Sequence, residues 1–216
     1  MLGPRRRDLR RHRYSREPKT RFILYCEGRN TEPAYFKAVR QAYPSSLIEI
    51  ETVPNAGVPY TLARSAIEKA KELKLNRRRR RALNSFEQSD EIWAVFDRDV
   101  HPRFEEAINL CKAHNVNVAR SIPCFELWLI LHLEDFDKPD GRHAVQAHLE
   151  KLLPGYERSG SKIPNCDLLI EGIELAEDRA LAQLARRSQE GSEFNPPSTT
   201  AGRLTRSIRV AAQKSV

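Results

Sequence analysis

The chain has 216 residues, of which 40% are hydrophobic and 31% are charged, and its formal net charge is +8. This length fits one domain with additions and is sufficient to bury a sizeable core. No apolar run is long enough to span a bilayer, and no apolar segment follows the basic N-terminus as it does in a signal peptide. These features argue against membrane-spanning and secreted classes, and we expect a cytoplasmic protein with no membrane partner.

The positive charge is concentrated in two segments. Residues 1–19 contain eight Lys or Arg and two Asp or Glu, whereas the rest of the chain outside a central arginine run is mildly acidic. Concentrated basic segments suit contacts with nucleic-acid phosphates. The alternatives are a solvated charge run and a patch that binds an acidic partner protein. The central run, our candidate nucleic-acid-binding segment, consists of Arg77, Arg78, Arg79, Arg80 and Arg81.

Strand-like and helix-like segments alternate over the first 120 residues. Residues 1–20 lack apolar periodicity and are predicted to be a basic disordered tail. A nearly continuous apolar run then indicates a strand buried on both faces. Later strand-like segments are rich in β-branched and aromatic residues, and apolar residues recur at helical spacing between them. The predicted strands are 21–26, 47–53, 92–96 and 116–120, and the predicted helices are 31–43, 59–75 and 102–114.

This order predicts an α/β fold. Strands that alternate with helices form a mostly parallel sheet, with right-handed crossovers and helices on both faces. We therefore expect a four-stranded, mostly parallel sheet flanked by helices over residues 21–135, and a C-terminal helical extension over 136–216 that packs on it. The remaining predicted helices are a strongly apolar one at 123–132 and three more at 142–153, 167–189 and 200–212.

Acidic residues follow two of the predicted strands. Glu27 ends the first strand with Gly28 behind it, and Asp97 and Asp99 end the third. In open parallel sheets, ligands bind beyond the carboxyl ends of the strands. Clustered carboxylates stay ionised together only beside a cation or a basic partner, and Mg²⁺ takes oxygen ligands while it keeps waters that a phosphate can displace. By itself, the Asp-Arg-Asp sequence also fits a solvated loop that caps a helix.

These acidic strand ends resemble the Toprim domain, which is shared by topoisomerases, bacterial primases, RecR-type recombination proteins and the overcoming-lysogenization-defect nucleases. More closely, the chain resembles the RloB-like family, which is associated with bacterial restriction and abortive-infection loci. Ile122 stands where family members often have Asn, and the basic tail and the arginine run lie outside the family pattern. The resemblance spans about residues 21–210 and rests on the segments 26–36, 93–99, 121–132 and 195–200.

The resemblance implies a Toprim-like fold and a Mg²⁺-dependent site, for which Mn²⁺ is the alternative ion. Glu27 would act as the general acid or base, and Asp97 and Asp99 would hold the metal.

Three further residues are candidate members of the site. Glu32 lies in the first turn of a predicted helix, where it either pairs with the helix dipole or joins the site. Glu126 lies near the start of the apolar helix, where a buried carboxylate needs a partner. His101, close to Asp99 in the sequence, is either a phosphate contact or a loop histidine. The Ser-Thr-Thr segment at 198–200 is predicted to cap the last helix, with a phosphate contact as the alternative.

Two functional hypotheses remain. In the first, the chain is an enzyme that uses a divalent metal to cleave or process DNA or RNA phosphodiesters in bacterial phage defence. In the second, the same site binds metal and a nucleotide or nucleic-acid end without catalysis, and the chain serves as partner of another defence protein such as an ATPase.

Overall fold

The computed structural model describes residues 20–44, 47–52, 58–80, 90–98 and 103–213. Strands and helices alternate up to β4, after which the elements are almost all helical. In chain order the elements are β1 (Arg21–Cys26), α1 (Thr31–Ala42), β2 (Leu47–Thr52), α2 (Pro59–Arg80), β3 (Asp90–Asp97), α3 (Phe104–Ala113), β4 (Asn117–Ile122), α4 (Glu126–Leu133), α5 (Arg142–Leu152), α6 (Cys166–Ile170), α7 (Ile173–Gln189), β5 (Ser198–Thr199) and α8 (Ala201–Gln213).

The strands form one sheet in the order β2-β1-β3-β4-β5. β1 to β4 are mutually parallel, and the short β5 pairs antiparallel with β4 at the edge. The predicted α/β fold with four mostly parallel strands is therefore confirmed, with β5 added to it. Because β1, β3 and β4 are adjacent and parallel, their carboxyl ends meet at one edge of the sheet.

Apolar side chains of β1 alternate between the two faces of the sheet, as strand geometry requires. Phe22 and Leu24 join a core cluster with α1, α4, α5, α7 and α8, whereas Ile23 and Tyr25 join a second cluster with α2 and α3. Burying each large apolar side chain contributes about 1.5–3 kcal/mol, so the two clusters hold helices on both faces. α4 lies inside the first cluster and is buried on nearly every side, in agreement with its strongly apolar sequence.

The four cysteines lie in or beside the two core clusters. Cys26, Cys111 and Cys124 are buried, Cys166 is partly buried, and all four thiols are free. Among the helices that the structure describes, none combines the length and the apolar character needed to cross a bilayer.

Two helical predictions need correction. A single helix over 167–189 was expected, but the chain breaks into α6 and α7 around Gly172. A Cβ at Gly172 would lie 2.5 Å from the backbone oxygen of His132, so the break lets the chain approach α4 closely. The helix predicted over 59–75 continues as α2 through the arginine run to Arg80, because Lys and Arg are good helix formers.

The predicted cap of the last helix is also wrong in part. Ser198 and Thr199 form β5 and pair with the end of β4. The Thr200 hydroxyl accepts a hydrogen bond from the Arg120 backbone N–H at 2.9 Å, and the buried Arg120 guanidinium donates to the Ser198 hydroxyl at 3.1 Å. These hydroxyl groups provide hydrogen-bond partners for Arg120 at the edge of β4. The local sequence did not indicate this role.

Candidate functional site

A cleft of about 360 Å³ lies at the sheet edge where β1, β3 and β4 end. Glu27 follows β1, and its backbone N–H donates to the Val95 carbonyl of β3 at 3.0 Å. The Asp97 backbone N–H in turn donates to Glu27 Oε2 at 3.1 Å. These two bonds cross-link adjacent strand ends, so Glu27 and Asp97 lie side by side in the cleft. Asp99 and His101, the other candidates from this region, lie outside the described residues.

Glu32 joins this pair from the first turn of α1. Its side chain is buried, and the backbone N–H groups of Glu32 itself and of Gly28 hydrogen-bond its carboxylate. The carboxylate therefore interacts with the N-terminal end of α1, as the helix-dipole interpretation expects, and it also lines the cleft. The close approach depends on Gly28, where a Cβ would lie 1.9 Å from Glu32 Oε2.

Gly28→Ala is therefore expected to displace the Glu32 carboxylate from the backbone N–H groups that hydrogen-bond it, and to lower the free energy of unfolding by about 0.5–1.5 kcal/mol, the net contribution of such a hydrogen bond. Gly141→Ala is the matched control, because a Cβ at Gly141 meets no atom within 4 Å. Urea unfolding of both variants measures the difference. Equal stability of the two variants would contradict the close packing of Gly28 against Glu32.

Glu126 reaches the cleft from the start of α4, just beyond β4. It is 4% exposed. Its Oε1 accepts hydrogen bonds from Gln146 Nε2 at 2.9 Å and from the Tyr156 hydroxyl at 2.7 Å. Burial, together with the charge of Glu126, raises the pKa of Tyr156, so its hydroxyl stays protonated as a donor. The buried carboxylate has the partners that burial requires, and it still lines the cleft.

Arg142 supplies a positive charge to the cleft from the first turn of α5. Its Nη2 lies 2.8 Å from Asp97 Oδ2, and the Arg142 side chain is 36% exposed whereas that of Asp97 is 10% exposed. Gln146 follows Arg142 by one helical turn, so one face of α5 contacts both Asp97 and Glu126. The carboxylates of the sheet edge are thus held partly by the C-terminal part of the chain.

Burial and neighbouring carboxylates raise the pKa of Glu32 and of Asp97. Burial, followed by the charges of Glu126 and Glu27, raises the pKa of Glu32 to about 7. Burial, followed by the charges of Glu32 and Glu126, raises the pKa of Asp97 well above its ordinary value, and Arg142 offsets only part of this effect. The cleft therefore favours either bound protons or an added cation.

Without added metal, stability is expected to fall as pH rises from about 4.5 to about 7, the ordinary and folded-state pKa values of Glu32. The folded state keeps the Glu32 proton over this range while the unfolded state loses it, so roughly 3 kcal/mol of stability disappears. Glu32→Gln should flatten this dependence, whereas Glu171→Gln, at an exposed position, should not. Urea unfolding in EDTA at several pH values measures the slope, and an unchanged slope in Glu32→Gln would refute the assignment.

The donor chemistry of the cleft fits a hard cation. Glu27, Glu32, Asp97 and Glu126 offer only carboxylate oxygens, and Mg²⁺ often binds through one or two carboxylates while it keeps several waters. Among the described residues, Asp97 could hold such an ion beside Glu27. Within the described ranges, no group of three or more His, Cys, Asp or Glu side chains is arranged to hold a metal ion.

Sequence reasoning missed the residues that the C-terminal part of the chain adds to the cleft. Arg142 and Gln146 lie four residues apart on one helix, a spacing that many exposed helices share. Tyr156 and Lys162 lie in the segment between α5 and α6, where no local pattern points to the sheet edge. Only the packing of α5 against α4 brings them there.

Comparison with known proteins gives a family for this chain. The family model described as RloB-like protein matches residues 22–208. Neither the curated proteins nor the solved structures contain a match.

Proposed function

The chain belongs to the RloB-like protein family, and from that membership and the acidic cleft we propose that it is a Toprim-type, Mg²⁺-dependent enzyme that cleaves or processes nucleic-acid phosphodiesters. Its setting would be bacterial phage defence, in the cytoplasm. The observation that carries the proposal is the contact between Glu27 and Asp97, which joins two neighbouring strand ends at the carboxyl edge of the sheet. The strand order is compatible with a Toprim-like topology.

The chemistry divides between the metal and the chain. A bound Mg²⁺, or Mn²⁺ in its place, would neutralise phosphate charge and supply a positioned water. Asp97 would hold the ion, and Asp99 is a further candidate ligand by family resemblance. Glu27 would accept or donate the proton at the reacting oxygen. Its Oε2 is already oriented by the Asp97 N–H, so little reorganisation is needed during the reaction.

The arginine run is proposed to bind the nucleic-acid backbone away from the cleft. Leu73 and Lys74 of α2 lie beside Asp90 at the start of β3, so α2 runs from the carboxyl edge of the sheet to its amino edge. Arg77 to Arg80 form the end of this helix, whereas Arg81 and the basic residues 1–19 lie outside the described ranges. Contacts there would add affinity that is independent of sequence and sensitive to salt.

The alternative is a non-catalytic subunit that binds a nucleotide or a nucleic-acid end and acts with another defence protein, such as an ATPase. The same acidic cleft would serve this function. Incubation of the purified protein with single- and double-stranded DNA and RNA, with Mg²⁺, Mn²⁺ or EDTA, separates the two functions. Metal-dependent cleavage supports the enzyme, and binding without cleavage of any substrate supports the subunit.

A further inference from the structure

The loop between α5 and α6 is hydrogen-bonded to the N-terminal end of α1, beside the cleft. Asn30 Nδ2 donates to the Ser161 carbonyl, and the Thr31 hydroxyl donates to the Lys162 carbonyl, each at 2.9 Å. Asn30 and Thr31 are the two residues before Glu32 in the chain. The turn that carries this acidic residue therefore also holds the loop. Lys162 keeps a backbone φ of +54° there, which a residue with a side chain adopts only when its surroundings impose it.

The side chain of Lys162 is not needed for this attachment. Both hydrogen bonds end on backbone carbonyl oxygens, so a change of the Lys162 side chain leaves them in place. Lys162 nevertheless lines the cleft, together with Arg142 and Arg29. Three cationic residues therefore line the same cleft as Glu27, Glu32, Asp97 and Glu126, and one of them, Arg142, contacts Asp97 at 2.8 Å.

This division of charge suits an anion that binds beside a cation. The acidic side of the cleft would attract a metal, and a bound metal would balance part of the carboxylate charge. Arg142, which pairs with Asp97 at 2.8 Å, would then be available to an anion, and Lys162 lines the same cleft. A phosphate group is the anion whose charge and oxygen geometry match a metal, an ammonium and a guanidinium at once.

We propose that Lys162 and Arg142 form a phosphate-binding subsite of the cleft, so that the C-terminal part of the chain supplies the substrate-binding side of a metal site built on the sheet. The inference rests on the proposed function, since it identifies the nucleic-acid phosphate as the group these cations bind. Thr31 and Asn30 act as positioning residues, because they hold the loop that carries Lys162.

The test uses thymidine 5′-monophosphate as probe and thymidine as its uncharged counterpart, each titrated into the full-length protein by NMR in EDTA and in Mg²⁺. Lys162→Gln is expected to weaken binding of the monophosphate about tenfold, the size of one charge-assisted hydrogen bond to a partly exposed group. Binding of thymidine should not change. Lys151→Gln, at an exposed position on α5, is the matched control and should behave like the parent.

The outcomes separate this subsite from the proposed function. Unchanged monophosphate affinity in Lys162→Gln, or an equal loss for thymidine and the monophosphate, would overturn the subsite. A parallel Mg²⁺ titration without nucleotide tests the metal site alone. If the parent protein binds no Mg²⁺ but loses monophosphate affinity through Lys162→Gln in EDTA, the metal-dependent function fails and the subsite stands. If Mg²⁺ binds and the monophosphate does not, the subsite fails and the metal site stands.

Discussion

Glu27→Gln is expected to reduce Mg²⁺-dependent cleavage by about 10²–10⁴-fold, the range that a positioned acid or base supplies. Glutamine has nearly the same shape, and its side-chain oxygen can still accept the Asp97 N–H that now binds Glu27 Oε2. It cannot exchange a proton with the reacting oxygen. The loss should therefore appear in the rate of the chemical step, measured under single-turnover conditions with saturating protein.

The matched control for this variant is Glu171→Gln, which removes the same charge at an exposed position. Its cleavage rate should equal that of the parent protein. Substrate affinity in Glu27→Gln, measured in EDTA, should change far less than the rate. A Glu27→Gln protein that cleaves at the parent rate would exclude Glu27 from proton transfer and would leave its role structural.

Asp97→Asn is expected to weaken Mg²⁺ binding by about 100-fold, because loss of even an indirect partner of a metal ligand costs 10–100-fold in affinity. The same change should raise the stability of the metal-free protein, by about 1 kcal/mol. Burial and neighbouring carboxylates raise the pKa of Asp97. Its stability contribution is therefore complete below the ordinary pKa and is lost as pH rises through the raised folded-state pKa, and Asn, which has no proton to lose, avoids that loss.

Loss of the ion pair with Arg142 at 2.8 Å offsets part of this gain, which keeps the expected stabilisation small. Calorimetric titration with Mg²⁺ and urea unfolding in EDTA give the two quantities separately. Asp167→Asn serves as the control, since Asp167 is exposed on α6, and it should alter neither. Parent-like Mg²⁺ affinity in Asp97→Asn would reject Asp97 as a ligand, and a large loss of stability would show that the pair with Arg142 outweighs the repulsion.

Local sequence was sufficient for the first half of the fold. The apolar run at β1 and the all-round apolar helix α4 stand out because burial on both faces leaves no polar positions in the sequence. Glu27 and Asp97 could be recognised as candidate site residues for a related reason, since a carboxylate at the end of a buried strand has few structural roles. The helix break at Gly172 could not be predicted from the sequence, because it depends on the carbonyl of His132 in a helix about forty residues earlier.

The sequence by itself determined the alternation of strands and helices, the parallel sheet and the acidic strand ends, because these follow from the spacing of apolar residues and from chain order. Only the tertiary structure decided that Glu32 and Glu126 share a cleft with Glu27 and Asp97, and that α5 and its following loop bring Arg142 and Lys162 to it. Pairings of that kind depend on packing between segments whose contacting residues lie 20 to 131 positions apart in the chain. No local periodicity encodes such contacts, since the residues that make them are polar and differ little from an ordinary solvated surface.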